Sequence, residues 1–178
     1  MNNLAILLVY QATWFAAVIG AGHGQWWPGV LCAVLFALWR LALSPQRALE
    51  SRLVLAALAI GLVLENLWVG SGLLTYAAPW PWAGSPAWIL ALWLAFALVI
   101  VPLLGYLHRR LWLAALLGAI GGPLAYLGAA RGWQAVQFSE PVWHGLLALG
   151  VGWALAMPLL AALAARGLAP DQPGEPTR

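Results

Sequence analysis

Long apolar runs, separated by short polar or turn-forming breaks, make up most of the chain. A helix needs about 20 mainly apolar residues to cross roughly 30 Å of hydrocarbon, where backbone groups find hydrogen-bond partners only within the structure itself. The runs are apolar on all sides and lack the strict alternation of a lipid-facing strand. The pattern predicts an all-α integral membrane protein whose six transmembrane helices form a single bundle, at residues 4–20, 26–43, 52–70, 86–107, 111–129 and 142–165.

Composition agrees with this pattern. Of the 178 residues, 64% are apolar and 7% are charged, against about 25% charged in an ordinary soluble domain. We expect a transmembrane domain over residues 1–167 and a disordered cytoplasmic tail over residues 168–178, which are polar and rich in proline.

The arginines orient the predicted helices. Lysine is absent, and short cytoplasmic loops hold most of the positive charge of membrane proteins. With six spans, only Arg131 lies on the outer side, and the other seven fall on one side: Arg40, Arg47, Arg52, Arg109, Arg110, Arg166 and Arg178. We therefore expect both termini to be cytoplasmic. The net charge of +3 is spread over separate loops, so we expect no nucleic-acid partner.

Two segments show a weak internal repeat. RLVLAAL at residues 52–58 and RLWLAAL at residues 110–116 agree at six of seven positions, and SPAW at 85–88 and EPVW at 140–143 open the spans that follow. A parallel repeat of two hairpins, spans 3–4 and spans 5–6, is one interpretation. The other is shared membrane sequence preference, because Ala and Leu are abundant throughout.

A carboxylate interrupts the third apolar run, in LVLENLWVG at residues 62–70. Glu65 lies five residues before Gly70, which places it roughly 7–8 Å inside the helix end. A charge at mid-helix costs about 2.5–3.5 kcal/mol on insertion scales, so such a residue is a functional-site hypothesis. We expect Glu65 to face the bundle, partly protonated, as a general acid or proton relay assisted by Asn66 and His144. The alternative is an interhelical hydrogen bond from Glu65 or Asn66 to Gln11 or Tyr126.

Other polar and aromatic side chains collect at the same end of the bundle. The loop at residues 71–86 contains PWPW and is unusually apolar, so it is either an interfacial anchor or a lid above a lipid-binding pocket. Histidine and carboxylate spacing gives no metal-ligand pattern, and we expect neither a metal nor a cofactor. The candidate ligand-binding residues are Gln11, His23, Trp68, Tyr76, Trp80, Trp82 and Tyr126.

The fifth run carries LLGAIGGPLAYLG, residues 116–128. Gly118 and Gly122 form a small-residue face for close helix packing, within the chain or in a homo-oligomer. Pro123 removes one backbone hydrogen bond, so we expect a kink there.

Several stretches together resemble domain-of-unknown-function family 2878, a bacterial inner-membrane family. They are MNNL at the start, Gln11 with TWFAAV, ENLWVGSGLLTY, PAWILALWLAFA and GAIGGPLAYLGA. The resemblance covers nearly the whole chain and implies a multi-pass protein of the bacterial inner membrane. Genes near members of the family resemble cyclopropane-fatty-acid synthases, which implies membrane-lipid metabolism and a lipid-modifying enzyme as partner.

A shorter segment is similar to membrane carotenoid hydratases and cyclases. It covers residues 65–93, where E-x-x-W-V-x-S-G-x-x-x-Y from Glu65 to Tyr76 is followed by an apolar helix that contains Trp. Trp68 stands where that pattern has Gly, and the second acidic residue of the cyclases is missing. This similarity implies that Glu65 protonates an alkene.

Three functions are compatible with these sequence features. The first is an accessory protein or carrier that handles a lipid in a periplasm-facing intramembrane pocket around Glu65. The second is a membrane-embedded enzyme with Glu65 as general acid on a lipid or isoprenoid alkene. The third is a small proton-coupled transporter.

Overall fold

Six α-helices dominate the fold, at the places where the apolar runs predict them. The computed structural model describes residues 2–82 and 84–168. The helices are α1 (Asn3–Gly22), α2 (Trp27–Leu43), α3 (Arg47–Gly70), α4 (Ala87–Leu103), α5 (Leu111–Trp133) and α6 (Val142–Leu168). The predicted tail lies outside the described residues except for Leu168, which ends α6.

Several helix ends differ from the predicted spans by one to five residues, and two of these differences, in α3 and α4, have a local cause. The third helix begins at Arg47, five residues before the predicted start, because the charged residues of its first turn are also helical. The fourth ends at Leu103, just after Pro102, and a short 3-10 helix, Gly105–Leu107, follows it. A proline removes a backbone donor and limits how far a helix extends beyond it.

Four of the helices, α1, α3, α5 and α6, are long and apolar enough to cross a membrane. The other two, α2 and α4, have 17 residues each and correspond to about 26 Å at 1.5 Å per residue. Large apolar side chains remain exposed on the outer surface, including Leu55 at 68% and Leu155 at 67%. Such an apolar outer surface is compatible with the hydrocarbon interior of a lipid bilayer.

The fourth helix lies at the centre of the bundle, packed against α1, α2 and α3. Its side chains are buried on several sides, among them Trp88, Trp93, Ala95, Ala97 and Leu98. A helix that is hydrophobic all round is expected at the centre of a fold. The fifth and sixth helices pack closely against each other.

Two short strands close one end of the bundle, which the sequence pattern did not predict. They are β1 (Leu74–Tyr76) and β2 (Val136–Phe138), paired antiparallel with Thr75 opposite Gln137. The first follows α3 and the second follows α5, so the carboxyl ends of these two helices lie at the same end of the molecule. The loop at 71–86 is therefore partly a strand and not only an interfacial segment.

The small-residue face of α5 is used inside the chain. An added Cβ at Gly118 or Gly122 would overlap Trp153 of α6, so both glycines permit the close approach of the two helices. The helix continues through Pro123 to Trp133. Packing through this face is confirmed within the protomer, and homo-oligomerisation through it stays a prediction.

A buried ion pair joins α2 to α3 at the end opposite the sheet. Arg40 Nη2 donates to Glu50 Oε1, and the two side chains are 7% and 0% exposed. Sequence reasoning missed this pair, because Glu50 lies in a polar stretch that resembles a loop. The spacing carried a signal: Arg40 is in the last turn of α2 and Glu50 in the first turn of α3, and a three-residue connection brings these turns together.

Candidate functional site

Glu65 lies on the inward face of α3. The buried residues of this helix recur every three or four positions, which is the period of one helix face. They are Glu50, Leu53, Ala57, Gly61, Glu65 and Trp68. Glu65 is 0% exposed, so the prediction that it faces the bundle is confirmed. One turn below, an added Cβ at Gly61 would come within 2.5 Å of Trp93 Cγ, so glycine makes room for this ring beside the carboxylate.

Three side chains from three different elements donate hydrogen bonds to Glu65. Trp93 of α4 donates from Nε1 to Oε1 at 2.8 Å. The hydroxyl of Tyr126 on α5 donates to the same oxygen, and the hydroxyl of Tyr76 on β1 donates to Oε2. Both carboxyl oxygens therefore have partners, as a buried carboxylate requires. We call Glu65, Tyr76, Trp93 and Tyr126 the carboxylate cluster.

The predicted hydrogen bond between Glu65 and Tyr126 is present, and Tyr76 joins it. Burial is the main cause that raises the pKa of Tyr76 well above its usual value, and the nearby Glu65 carboxylate adds to it. The Tyr76 hydroxyl therefore remains protonated and can donate at neutral pH.

Aromatic rings enclose the cluster. Trp68 packs edge-on against Tyr126 with ring centroids 5.9 Å apart, and Trp88 packs edge-on against Tyr76 at 5.8 Å. Trp88 also donates from Nε1 to the Ala77 carbonyl at 2.9 Å, which ties α4 to the segment after β1. Trp68, predicted as a ligand contact, is 4% exposed and acts here as part of the wall.

A cleft of about 240 Å³ adjoins the cluster. Helices α1 and α5 form its two sides, with Tyr10 and Trp14 on one and Leu117, Gly121 and Ala125 on the other. Helices α4 and α6 form its floor, which contains Trp93 and Trp153 stacked with centroids 4.3 Å apart.

Two members of the cluster, Trp93 and Tyr126, line the cleft, whereas Glu65 does not. Exposed Leu117 and Gly121 stand at its edge, so it opens at the side of the bundle between α1 and α5. The expected periplasm-facing pocket around Glu65 stays a prediction, because the cleft described here opens at the side of the bundle and not at the sheet end.

Asn66 points away from the cluster. It is exposed, and its Nδ2 donates to the Ser85 hydroxyl at 2.6 Å and to the Leu62 carbonyl at 2.7 Å. Through the bond to Ser85, Asn66 holds the loop before α4 against α3. Successive residues on a helix are about 100° apart, so the Glu65 and Asn66 side chains leave α3 in different directions.

The remaining candidates at this end are on the surface. His23 is exposed, with its Nδ1 2.8 Å from the Ile19 carbonyl, and His144 is exposed and packs on Trp143. Gln11 is exposed on α1. None of these three side chains reaches Glu65, so the structure does not bring together the predicted grouping of His144 with Glu65.

Trp80 and Trp82 are about half exposed, at 48% and 47%. Trp80 stacks on Trp26 with ring centroids 3.8 Å apart, which fixes the PWPW segment against the start of α2. These contacts favour the anchoring interpretation of this loop, since neither tryptophan lines the cleft.

Trp93 is the member of the cluster that sequence reasoning missed. Its depth was a usable signal: Trp93 lies six residues after the start of α4, and Glu65 lies five residues before the end of α3. Because both helix ends lie at the same end of the bundle, the two side chains are at similar depths. A tryptophan N–H in an apolar helix needs an acceptor, and Glu65 was the carboxylate at that level.

The fold and the site define an apolar helical-bundle protein of membrane type, with the buried and hydrogen-bonded Glu65 carboxylate at its candidate site. Among residues 2–82 and 84–168, no three His, Cys, Asp or Glu side chains are grouped so that they could hold a metal ion. The chain belongs to a family described as protein of unknown function (DUF2878), whose sequence model matches residues 3–159. Comparisons with curated proteins and with solved structures gave no significant match.

Proposed function

We propose that this protein is a multi-pass protein of the bacterial inner membrane that binds a lipid chain in the cleft between α1 and α5. It acts as an accessory protein or carrier in membrane-lipid metabolism. The observation that supports this most is the position of Tyr126, whose ring lines the apolar cleft while its hydroxyl is bonded to Glu65. The cleft therefore offers apolar walls with one anchored polar group.

In this proposal all six helices cross the membrane. The 17 residues of α2 and of α4 reach the lower end of the length range that spans a bilayer. The three-residue connection between α2 and α3 requires the two helices to run in opposite directions. Both termini then lie on the arginine-rich side, which is the cytoplasmic side by the positive-inside rule.

The hairpin repeat fits the same arrangement. Helix α3, strand β1 and helix α4 have the same order as α5, β2 and α6. The two strands pair antiparallel about Thr75 and Gln137, so each unit contributes one strand to the same small sheet. This supports the interpretation as a parallel duplication.

The size of the cleft limits the ligand. At about 240 Å³ it is smaller than the 300–1,000 Å³ of typical small-molecule pockets, so it accommodates part of an acyl or isoprenoid chain. Its side opening gives a chain direct access from the hydrocarbon layer. The Tyr126 hydroxyl recognises a polar atom on the ligand, with Glu65 as the positioning residue.

Gly121 allows a direct test by filling the cleft. It lines the cleft, and an added Cβ there meets nothing within 4 Å, so Gly121→Phe fills the space without displacing the core. Gly132→Phe is the matched control, because Gly132 lies on the same helix in equally open space outside the cleft.

The measurement is lipid mass spectrometry on a deletion strain rescued with each variant, and on lipid that co-purifies with each protein. We expect the wild type and Gly132→Phe to restore the lipid profile and to retain lipid. Gly121→Phe should do neither, and Glu65→Gln should be impaired relative to the exposed control Glu140→Gln. Identical lipid profiles in all strains, together with equal lipid retention, would contradict the proposal.

Enzymatic proton transfer is a second candidate, favoured by the contact of Tyr126 with both the cleft and Glu65. Because Glu65 does not line the cleft, a proton would pass to one alkene carbon through the Tyr126 hydroxyl, which is then reprotonated from Glu65. Water would add to the resulting carbocation, and the proton released from that water would return to Glu65 through Tyr126, which gives an alcohol and restores the starting state. This function requires a chemically altered lipid, whereas a carrier releases the lipid unchanged. Loss of one product ion in both Glu65→Gln and Tyr126→Phe strains would favour the enzyme.

A further inference from the structure

A second groove lies at the end of the bundle opposite the sheet. It has a volume of about 610 Å³ and lies between the connection from α4 to α5 and the last turn of α6. Its walls carry Gly105, Tyr106, His108, Arg109, Arg110, Ala165 and Leu168. It shares no residue with the cleft between α1 and α5.

The groove is rich in hydrogen-bond donors. Arg109 and Arg110 are exposed, and each guanidinium carries five N–H donors in a planar fork that suits phosphate. His108 Nε2 is buried and has no hydrogen-bond partner among the described residues. Helix α5 begins at Leu111, directly after Arg110, and no side chain caps its first turn. The positive end of a 23-residue helix therefore faces the same region.

The carboxylates of the described residues do not neutralise this charge. Glu50 is paired with Arg40, Glu65 belongs to the carboxylate cluster, and Glu140 lies in the loop at the sheet end. Arg40 and Glu50 form the ion pair that is found among residues 2–82 and 84–168. Among the described residues, no carboxylate thus supplies a counter-charge to the two guanidinium groups that line the groove.

Apolar side chains border the groove. Leu168 and Ala165 form one edge, and Leu111 and Trp112, 42% and 70% exposed, follow the arginines on α5. A basic groove beside apolar residues at the end of membrane helices matches a phosphate linked to hydrocarbon chains. Basic pockets between helices on the cytoplasmic side are a known way to hold anionic lipid headgroups.

We propose that the groove lined by His108, Arg109 and Arg110 binds the phosphate of an anionic membrane lipid. The arginines hold the phosphate oxygens, the uncapped amides of α5 face the same anion, and Trp112 contacts the glycerol and upper acyl region. This site depends on the membrane location but not on the cleft beside Glu65.

The test titrates the full chain, purified in a zwitterionic detergent, with phosphatidylglycerol, with phosphatidylcholine of the same acyl chains, and with inorganic phosphate. Binding is followed by native mass spectrometry and by the shift in Tm. We expect phosphatidylglycerol to bind the wild type at least about 10-fold more tightly than phosphatidylcholine, since each nearby arginine contributes about 1 kcal/mol of attraction to an anionic lipid surface, which corresponds to roughly 5-fold per charge.

Arg109→Gln with Arg110→Gln should lower the phosphatidylglycerol affinity by about 10- to 30-fold. The matched control is Arg47→Gln with Arg52→Gln, which removes the same charge at the same end from two exposed residues outside the groove. We expect less than about a 3-fold effect there, because screened charges outside the site contribute little. Lipid binding at the cleft responds to Gly121→Phe and not to these arginines, so the two proposals fail separately.

Four results would overturn the assignment. Equal affinity for the two lipids would show that the groove does not select an anionic lipid. An equal loss of phosphatidylglycerol affinity in both arginine pairs would show that the effect comes from general surface charge. If inorganic phosphate raises the Tm as much as phosphatidylglycerol does, the groove is a site for a free anion. If lipid binds only after residues 169–178 are removed, the groove holds the chain's own carboxylates, Asp171 or Glu175.

Discussion

Replacing Glu65 by leucine tests the structural part of the carboxylate cluster directly. Leucine is similar in size but accepts no hydrogen bond, so the Trp93 N–H and the hydroxyls of Tyr76 and Tyr126 lose their acceptor. The two hydroxyls are close enough to bond to each other, which leaves two donors unsatisfied. At about 1–3 kcal/mol for each buried unsatisfied donor, the loss is about 2–6 kcal/mol.

Glutamine at the same position should behave differently. Its carbonyl oxygen accepts from Trp93 and Tyr126, and its amide donates to the Tyr76 oxygen, so each of the three partner side chains keeps a hydrogen bond to residue 65. We expect Glu65→Gln to cost less than about 1.5 kcal/mol. An independent lower bound for the leucine variant comes from hydrogen bonds between membrane helices, which average about 0.6 kcal/mol, or roughly 2 kcal/mol for the three.

The assay is reversible unfolding in mixed micelles with increasing dodecyl sulfate, followed by tryptophan fluorescence and circular dichroism. Asn66→Leu is the control, because it makes the same kind of change at the neighbouring position and removes the bond to Ser85. We expect it to cost about 0.5–1.5 kcal/mol. Equal stability of Glu65→Leu and the wild type, or equal losses in the leucine and glutamine variants, would refute the hydrogen-bond reasoning.

Three further predictions concern single contacts. Tyr126→Phe should cost about 0.6–1.7 kcal/mol in the same unfolding assay, and this cost should disappear in a Glu65→Leu background, where the hydroxyl has no carboxylate to lose. Arg40→Leu alone should cost about 3–5 kcal/mol by leaving the Glu50 carboxylate without its partner, and adding Glu50→Leu should recover most of that loss, which a double-mutant cycle measures. Gly118→Leu should prevent folding because its Cβ overlaps the Trp153 backbone, whereas Gly132→Leu in open space should fold, and gel filtration with circular dichroism distinguishes them; normal folding of Gly118→Leu would contradict the packing of α5 on α6.

The sequence pattern predicted those parts of the fold that depend on single segments. Six apolar runs became six helices, since each run carries its own length and hydropathy signal. The inward orientation of Glu65 followed from the cost of exposing a carboxylate to hydrocarbon. Its bond to Tyr126 was among the predicted interhelical bonds because the two residues were placed at similar depth.

Features that depend on how segments meet were not predicted. The strands β1 and β2 have three residues each, too few for an alternating pattern to show. To predict the ion pair of Arg40 and Glu50, one must know which faces of α2 and α3 are in contact. Asn66 was placed beside Glu65 because the two are adjacent in sequence, although the helix turns them to different sides.

The cluster also shows how a structural role and a functional role of Glu65 can be separated. Holding Trp93, Tyr76 and Tyr126 together requires an acceptor, and glutamine supplies one without the charge or the acidic proton of a carboxyl group. If Glu65 serves only to join α3, α4, α5 and β1, then Glu65→Gln should leave both stability and lipid phenotype near the wild type. If instead the carboxyl group sets the polarity of the Tyr126 hydroxyl in the cleft, the glutamine variant should fold normally and lose function. The carboxyl group therefore has a functional role if Glu65→Gln changes the lipid profile while its free energy of unfolding stays near that of the wild type.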